Sequence, residues 1–368
     1  MEATRQEDAM MRRTAGLILL ALGVFLIVLA PMVRWYLEPR LAKFPLDVRS
    51  VSEAVSDGHS VMLDQGTLKV RTGLTLTARR IVQGDKAAGN SSRAVWDQGV
   101  VVKDADHNLV SANVERIAFD RVTGLAVNCC NENTDGKPVQ HVGLYYTFPF
   151  DTQKKNYPYF DTYTSQAWPM LFQGVGRKQG LSLYHFTQKV DPVDMETLPV
   201  PASMVGRPGS GSVTVHRFVE SSSDFWVEPV TGTIIAAESR QIQTLRDTAG
   251  QSLLTVADVD SALTEATQRE SARLAKDGIR QLGLLRTTGP LAALLLGLVA
   301  IALSVALLRG LTVRSLPFPG RRGPAGQGRP QPAPTSPETA EIDLRAVAQQ
   351  SDLVTNQTTA EQRRSNRF

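Results

Sequence analysis

Two runs without a charged side chain, Ala15–Val33 and Pro290–Leu308, constrain this chain more than any other feature. Each is about 19 residues long, or roughly 28 Å as a helix, which matches the hydrocarbon thickness of a bilayer. A cleaved signal peptide has a shorter apolar core of about 7–15 residues and a small-residue cleavage site. Here Pro31-Met32-Val33-Arg34-Trp35-Tyr36 follows the first run, so an uncleaved anchor is expected. Trp35 and Tyr36 suit the interface, where amphipathic rings settle. Gly289-Pro290 can open the second span, because proline is tolerated in a first helical turn. Arg309 and Arg314 close it.

Two spans place both termini on one side. Basic residues flank both helices almost evenly, so the positive-inside count decides little. Long domains translocate largely regardless of charge. The expectation is a two-pass protein of the cell membrane with cytoplasmic termini and an extracytoplasmic main domain, with membrane lipid around its spans.

Between the spans the period changes to two. Leu68, Val70, Thr72, Leu74, Leu76 and Ala78 alternate with Lys69, Arg71, Gly73, Thr75 and Thr77, which predicts a half-buried strand. Further strand patterns surround Val100–Val102, Val142–Phe148, Val213–Phe218, Phe225–Glu228, Thr233–Ala237 and Leu253–Ala257. Turn signals such as Asp135-Gly136, Thr231-Gly232 and Ala249-Gly250 separate them. Ser221–Ser223 with Asp224 reads as a polar turn. The fold class predicted is a mainly β ectodomain of antiparallel sheets, with some helix, between two transmembrane α-helices. Its parts are a lead at 1–13, a span at 14–36, a β-rich extracytoplasmic domain at 37–257, a stalk helix at 258–288, a span at 289–308 and a cytoplasmic tail at 309–368. The tail is rich in Pro, Gly, Arg and Gln, a composition that cannot bury a core and predicts disorder. Net charge is only +4, with no basic stripe on a helix, so nothing points to nucleic acid.

Three segments are candidates for chemistry. Cys129 and Cys130 are the only cysteines and are adjacent. Outside the cytoplasm they meet oxidising conditions. A bond between neighbours, two free thiols and a bridge to another chain all stay open. Asp104, Asp106, Asn108 and Glu115 match positions of a calcium loop, but Leu109 stands where the sharp turn requires Gly, so a plain hairpin turn is expected. The stretch from Tyr145 to Phe172 holds ten of the chain's 23 aromatic residues. Within it Tyr145, Tyr146, Tyr157, Tyr159, Tyr163 and Trp168 are candidate ligand contacts, because aromatic faces with polar tips suit sugar rings or lipid. A core role for them is the competing expectation. The five histidines lack metal spacing, and no nucleophile elbow, phosphate loop or zinc helix appears. No catalytic residue, metal ligand or cofactor is predicted.

The ordered segments also carry a resemblance. Gly143–Asp151 leads into Lys154–Asp161, followed by Gly180–Phe186 and the hairpin Trp226–Gly232. With the two terminal spans, these resemble the PorA-like family of actinobacterial two-span membrane proteins, and more distantly the class B scavenger receptors. The resemblance implies an envelope protein whose ectodomain binds or passes a lipid or lipoglycan without catalysis. An envelope glycan-modifying enzyme and a pore-forming protein are the alternatives. The sequence argues against a membrane barrel, because barrel strands need apolar outward faces over about 10 residues, whereas Lys69 and Arg71 occupy the polar face of the clearest strand. Oligomeric state is left open.

Overall fold

The computed structural model describes residues 2–64 and 66–309. The tail expected to be disordered lies, from residue 310 on, outside the described residues. Helix α1 (Glu2–Met32) runs through a π-helical turn (Val33–Leu37) into the short α2 (Glu38–Leu41). Pro39 lies in α2, directly after the π-helical turn. Near the other end, α3 (Glu265–Gly283), a second π-helical turn (Leu284–Thr288) and α4 (Gly289–Leu308) form one continuous rod. Thr264 caps α3, its Oγ1 accepting the Thr267 amide at 3.3 Å.

The two apolar helices pack backbone to backbone. A Cβ on Gly23 would lie 2.8 Å from the Gly297 carbonyl oxygen, and a Cβ on Gly297 would lie 2.8 Å from that of Gly23. Small residues permit that approach, the usual basis of helix association in lipid. Ser304, buried in the contact, donates to the Gly16 carbonyl at 2.6 Å. The outward faces carry exposed Leu17, Ile18, Leu22, Phe25, Leu295, Leu296 and Val299. Helices this long, with apolar residues turned outward, make the chain a membrane protein.

Fourteen strands form one sheet: β1 (Arg49–Ser56), β2 (Ser60–Asp64), β3 (Lys69–Leu74), β4 (Leu76–Gly84), β5 (Arg93–Asp104), β6 (Leu109–Asp120), β7 (Asn133–Thr134), β8 (Lys137–Pro138), β9 (Tyr157–Asp161), β10 (Gln166–Lys178), β11 (Leu181–Pro201), β12 (Ser212–Val227), β13 (Ile234–Arg246) and β14 (Ser252–Leu263). Their order is β8-β7-β6-β5-β4-β1-β14-β13-β12-β11-β10-β9, with β2 and β3 branching from β14. Every ladder is antiparallel. The fold is therefore a mostly antiparallel open sheet with two long apolar helices, not a barrel.

Several sequence expectations shift; Val142–Phe148, for one, carries isolated bridges at Leu144 and is not a strand. The alternating run at 68–78 is two strands, interrupted at Thr75, with Gly73 near the end of β3 in the left-handed region (φ +69°). β3 pairs with β2, whereas β4 pairs with β1 and β5. Alternation persists through such a break because the period is local and the change of partner is not. The serines at 221–223 are not a turn but mid-strand in β12, continuously paired with β11 and β13.

The sheet curls at one end until its edges nearly meet. Two short segments bridge the gap between β6 and β9. The Val127 amide donates to the Ala118 carbonyl at 3.0 Å, and the Ala126 amide to that of Gly143 at 2.9 Å. The Leu144 amide donates to Pro158, and the Phe160 amide to Leu144, each at 2.8 Å. Isolated bridges, not ladders, span this seam. Beneath it lies a core of Leu144, Phe148, Tyr157, Tyr159, Met170, Phe186 and Val227. Phe44, Val82, Ala94, Trp96 and Phe119 form a second cluster.

Candidate functional site

Strand register assigns residues to the inward face. Gln188 pairs with Ser223, Ser223 with Ser239, Ser239 with Ser261, and Ser261 with Ser56. One polar row therefore crosses five adjacent strands. Ser239 and Ser261 are joined by a 3.1 Å hydroxyl contact. Gln188, buried at one end, donates to the carbonyls of Tyr159 (2.9 Å) and Trp168 (3.0 Å). Ser221, one inward position further along β12, donates to Asp161 at 2.8 Å. Ser52 and Arg80 share this face through the β1–β4 pairing. Ser223, Ser239 and Ser261 in the middle of the row are half-buried, whereas Gln188 and Ser56 at its two ends are buried.

Arg80 looks across the curl toward the aromatic segment. Burial pushes the phenols of Tyr145, Tyr159 and Tyr163 up in pKa, and the Arg80 charge opposes that rise at all three.

A buried ionic cluster joins β6 to the segment at 132–141. His141 sits between two carboxylates, its Nε2 3.3 Å from Glu115 and its Nδ1 3.2 Å from Glu132. Burial alone would lower the imidazole pKa, but the hydrogen bonds and charges of both carboxylates outweigh it and raise it from 6.5 to about 9. The ring is therefore an imidazolium at neutral pH, donating from both nitrogens. Glu132 also accepts the Ala118 amide at 2.9 Å. Glu115 accepts Thr134 Oγ1 at 3.1 Å and the Tyr145 hydroxyl. Gln98 donates to the Tyr145 hydroxyl at 2.9 Å.

The structure scatters the six aromatic candidates. Tyr145, Tyr157 and Tyr159 are buried in the core. Tyr146 packs against it and donates to the Trp96 carbonyl at 3.3 Å. Half-buried Trp168 donates to Thr164 at 3.0 Å, which leaves Tyr163 as the one most open to solvent. Asp104 organises a hairpin turn, its Oδ1 accepting the amides of Asp106 and Asn108, while Arg71 pairs with it at 3.0 Å. The Cys129 and Cys130 sulfurs are bonded to each other. Among the described residues no group of three His, Cys, Asp or Glu is arranged to hold a metal.

A shallow groove of about 360 Å³ is lined by Ser56, Ser239 and Ser261 of the polar row together with Asp57, Asp224, Glu238, Arg240 and Asp260. Most of its charges are already paired: Asp224 with His185, Glu238 with Lys178, and Arg240 with both Asp258 and Asp260. The Asp224 carboxylate that pairs with His185 at 2.7 Å also accepts the Thr187 hydroxyl at 2.9 Å. Sequence reasoning missed the Glu115–His141–Glu132 cluster because its members lie in different loops and strands. One signal was available: Glu115 is in phase with Ile117 and Phe119 on the inward face of β6.

Comparison with known proteins follows this geometry. The family model described as Porin PorA matches residues 15–306. A protein of Corynebacterium amycolatum named Porin PorA is 24% identical over 295 residues, covering 61% of this chain and 76% of that protein. Another Porin PorA, from Corynebacterium resistens, is 35% identical over 101 residues, 24% of each chain. These names overturn the expectation of a lipid- or lipoglycan-binding ectodomain and favour the pore-forming alternative. Lys69 and Arg71 would be misplaced in a lipid-embedded barrel, which this open sheet is not.

Proposed function

The chain belongs to the Porin PorA family, and from that premise we propose that it forms a pore for small hydrophilic solutes in the cell envelope. The polar row Gln188–Ser223–Ser239–Ser261–Ser56 on the inward face carries this reading, as the wall of an aqueous vestibule. One chain's helix pair is closed by the Gly23–Gly297 contact and holds no lumen, so the membrane passage is built from several copies. Its walls are apolar, which makes it a constriction that gates by dewetting. The charged outer face of the sheet, with Arg79, Glu238 and Arg240 exposed, keeps the β domain out of the hydrocarbon.

Planar-bilayer recording with the full-length protein tests the proposal. Discrete conductance steps are expected, and bulky substitutions at Ser239 and Ser261 reduce them. Bilayers that stay as quiet as protein-free controls, at concentrations where oligomers are present, would overturn it. The associated topology is two-pass, with cytoplasmic termini. A reporter after Phe368 should behave as cytoplasmic and one near Gly209 as external; the reverse pattern sinks this topology.

A further inference from the structure

The disulfide lies inside the segment that closes the sheet. Val127 and Ala126 make the seam's hydrogen bonds just before it, and Glu132 anchors the buried cluster just after it. The Cα atoms of Cys129 and Cys130 are 3.8 Å apart, the spacing of neighbours across a trans peptide. A ring this small removes little entropy from the unfolded chain, so a stability staple is a poor account of it. What it does hold is backbone. Cys130 (φ +66°) and Asn131 (φ +61°) both occupy the left-handed region, which is disfavoured for a residue such as cysteine. That conformation turns the Cys130 carbonyl toward Arg116, whose Nε donates to it at 3.0 Å. Arg116 is itself fixed by Asp85 (2.6 Å) and Asp97 (2.8 Å). Both cysteines are only half-buried, within reach of a solute.

We infer that Cys129–Cys130 is a thiol-exchange site whose substrate is a dithiol, and that opening it loosens one side of the seam. A donor thiolate attacks one sulfur, the Cys129–Cys130 bond breaks, and a mixed disulfide forms. The donor's second thiol then closes the donor's own disulfide and releases the pair. Two electrons and two protons pass from donor to protein, leaving two cysteine thiols. Once the ring is open, Cys130 is free to leave the left-handed region and its carbonyl to leave Arg116. Loosening stops at Glu132, which the cluster with His141 and Glu115 still holds. The inference does not depend on conduction, and its test reads none.

The test uses the full-length protein in detergent, without denaturant, and dithiothreitol as the donor. Before reduction an alkylating reagent should add no label, and after reduction two. Amides at 127–131 should then exchange roughly tenfold faster, as expected for a local opening, while those of β12 and β13 do not change. A Cys129→Ser/Cys130→Ser variant should show the fast exchange with or without the donor. Labelling of both thiols before reduction overturns the inference, as do dimers that vanish on reduction. So does a pair that opens only in denaturant, or unaltered exchange at 127–131 after two labels have been added.

Discussion

The α1–α4 pair and the β6–β9 seam are both closures between parts of the chain far apart in sequence, and they use opposite chemistry. In the helix pair, glycines bring two backbones into contact, and the buried polar side chain, Ser304, is satisfied by a carbonyl. At the seam, main-chain bonds are few, and an imidazolium between two carboxylates ties the loop to β6. The difference follows from the surroundings. Lipid offers no hydrophobic reason for two apolar helices to associate, so close packing must hold them. The seam lacks a ladder, so the packing of Leu144 on the core and the buried charges hold it. The buried charges are vulnerable, because losing one partner strands the others.

His141→Ala should separate the two regions most sharply. It leaves Glu115 and Glu132 buried without a counter-charge, which costs about 3–5 kcal/mol of stability in denaturant unfolding. A loss under about 1 kcal/mol, the scale of an exposed pair, would mean that the seam is held by something else.

Next in size is a pH dependence. The imidazolium is favoured by folding, since its pKa rises from 6.5 to about 9. Its contribution is therefore complete below the unfolded value and is lost as pH rises through the folded one. About 3 kcal/mol should disappear between roughly pH 6.5 and 9. The His141→Ala variant should show a flat profile over that window, and a parallel decline in both proteins would contradict the assignment.

The helix pair should respond to volume, with no dependence on pH. Gly23→Leu places side-chain atoms where the Gly297 carbonyl and Ile301 already sit. A cost of about 1–3 kcal/mol is expected, with loss of cross-linking between cysteines introduced at facing α1 and α4 positions. Cross-linking that survives the substitution would show that the glycine contact does not close the pair. Ser304→Ala should matter least, about 0.6 kcal/mol, the average for a hydrogen bond between membrane helices. If it exceeds Gly23→Leu, the pair depends on its polar contact and the contrast with the seam disappears.

Much of the architecture is legible in the residues themselves. An uncharged run as long as a bilayer is thick must be helical in lipid, which offers no other partner for its backbone groups, so both apolar helices are fixed by composition. Alternation likewise announces strands, because side-chain direction reverses at every residue whatever the partner. Partnership is another matter. Nothing local says that 68–78 breaks at Thr75 to serve two ladders, or that Ser223, Ser239, Ser261 and Ser56 line up across four strands. Those serines lie up to about 200 positions apart, and only the register brings them into one row. The aromatic stretch shows the same limit: its composition suits a core or a surface equally, and the curl of the sheet decides that Tyr159 is buried while Tyr163 stays open. His141 and its carboxylates are ordinary residues in sequence. Their charge state is set by distances of a few ångströms that arise only when the seam closes, because Coulomb and hydrogen-bond energies depend on separation in space and not along the chain.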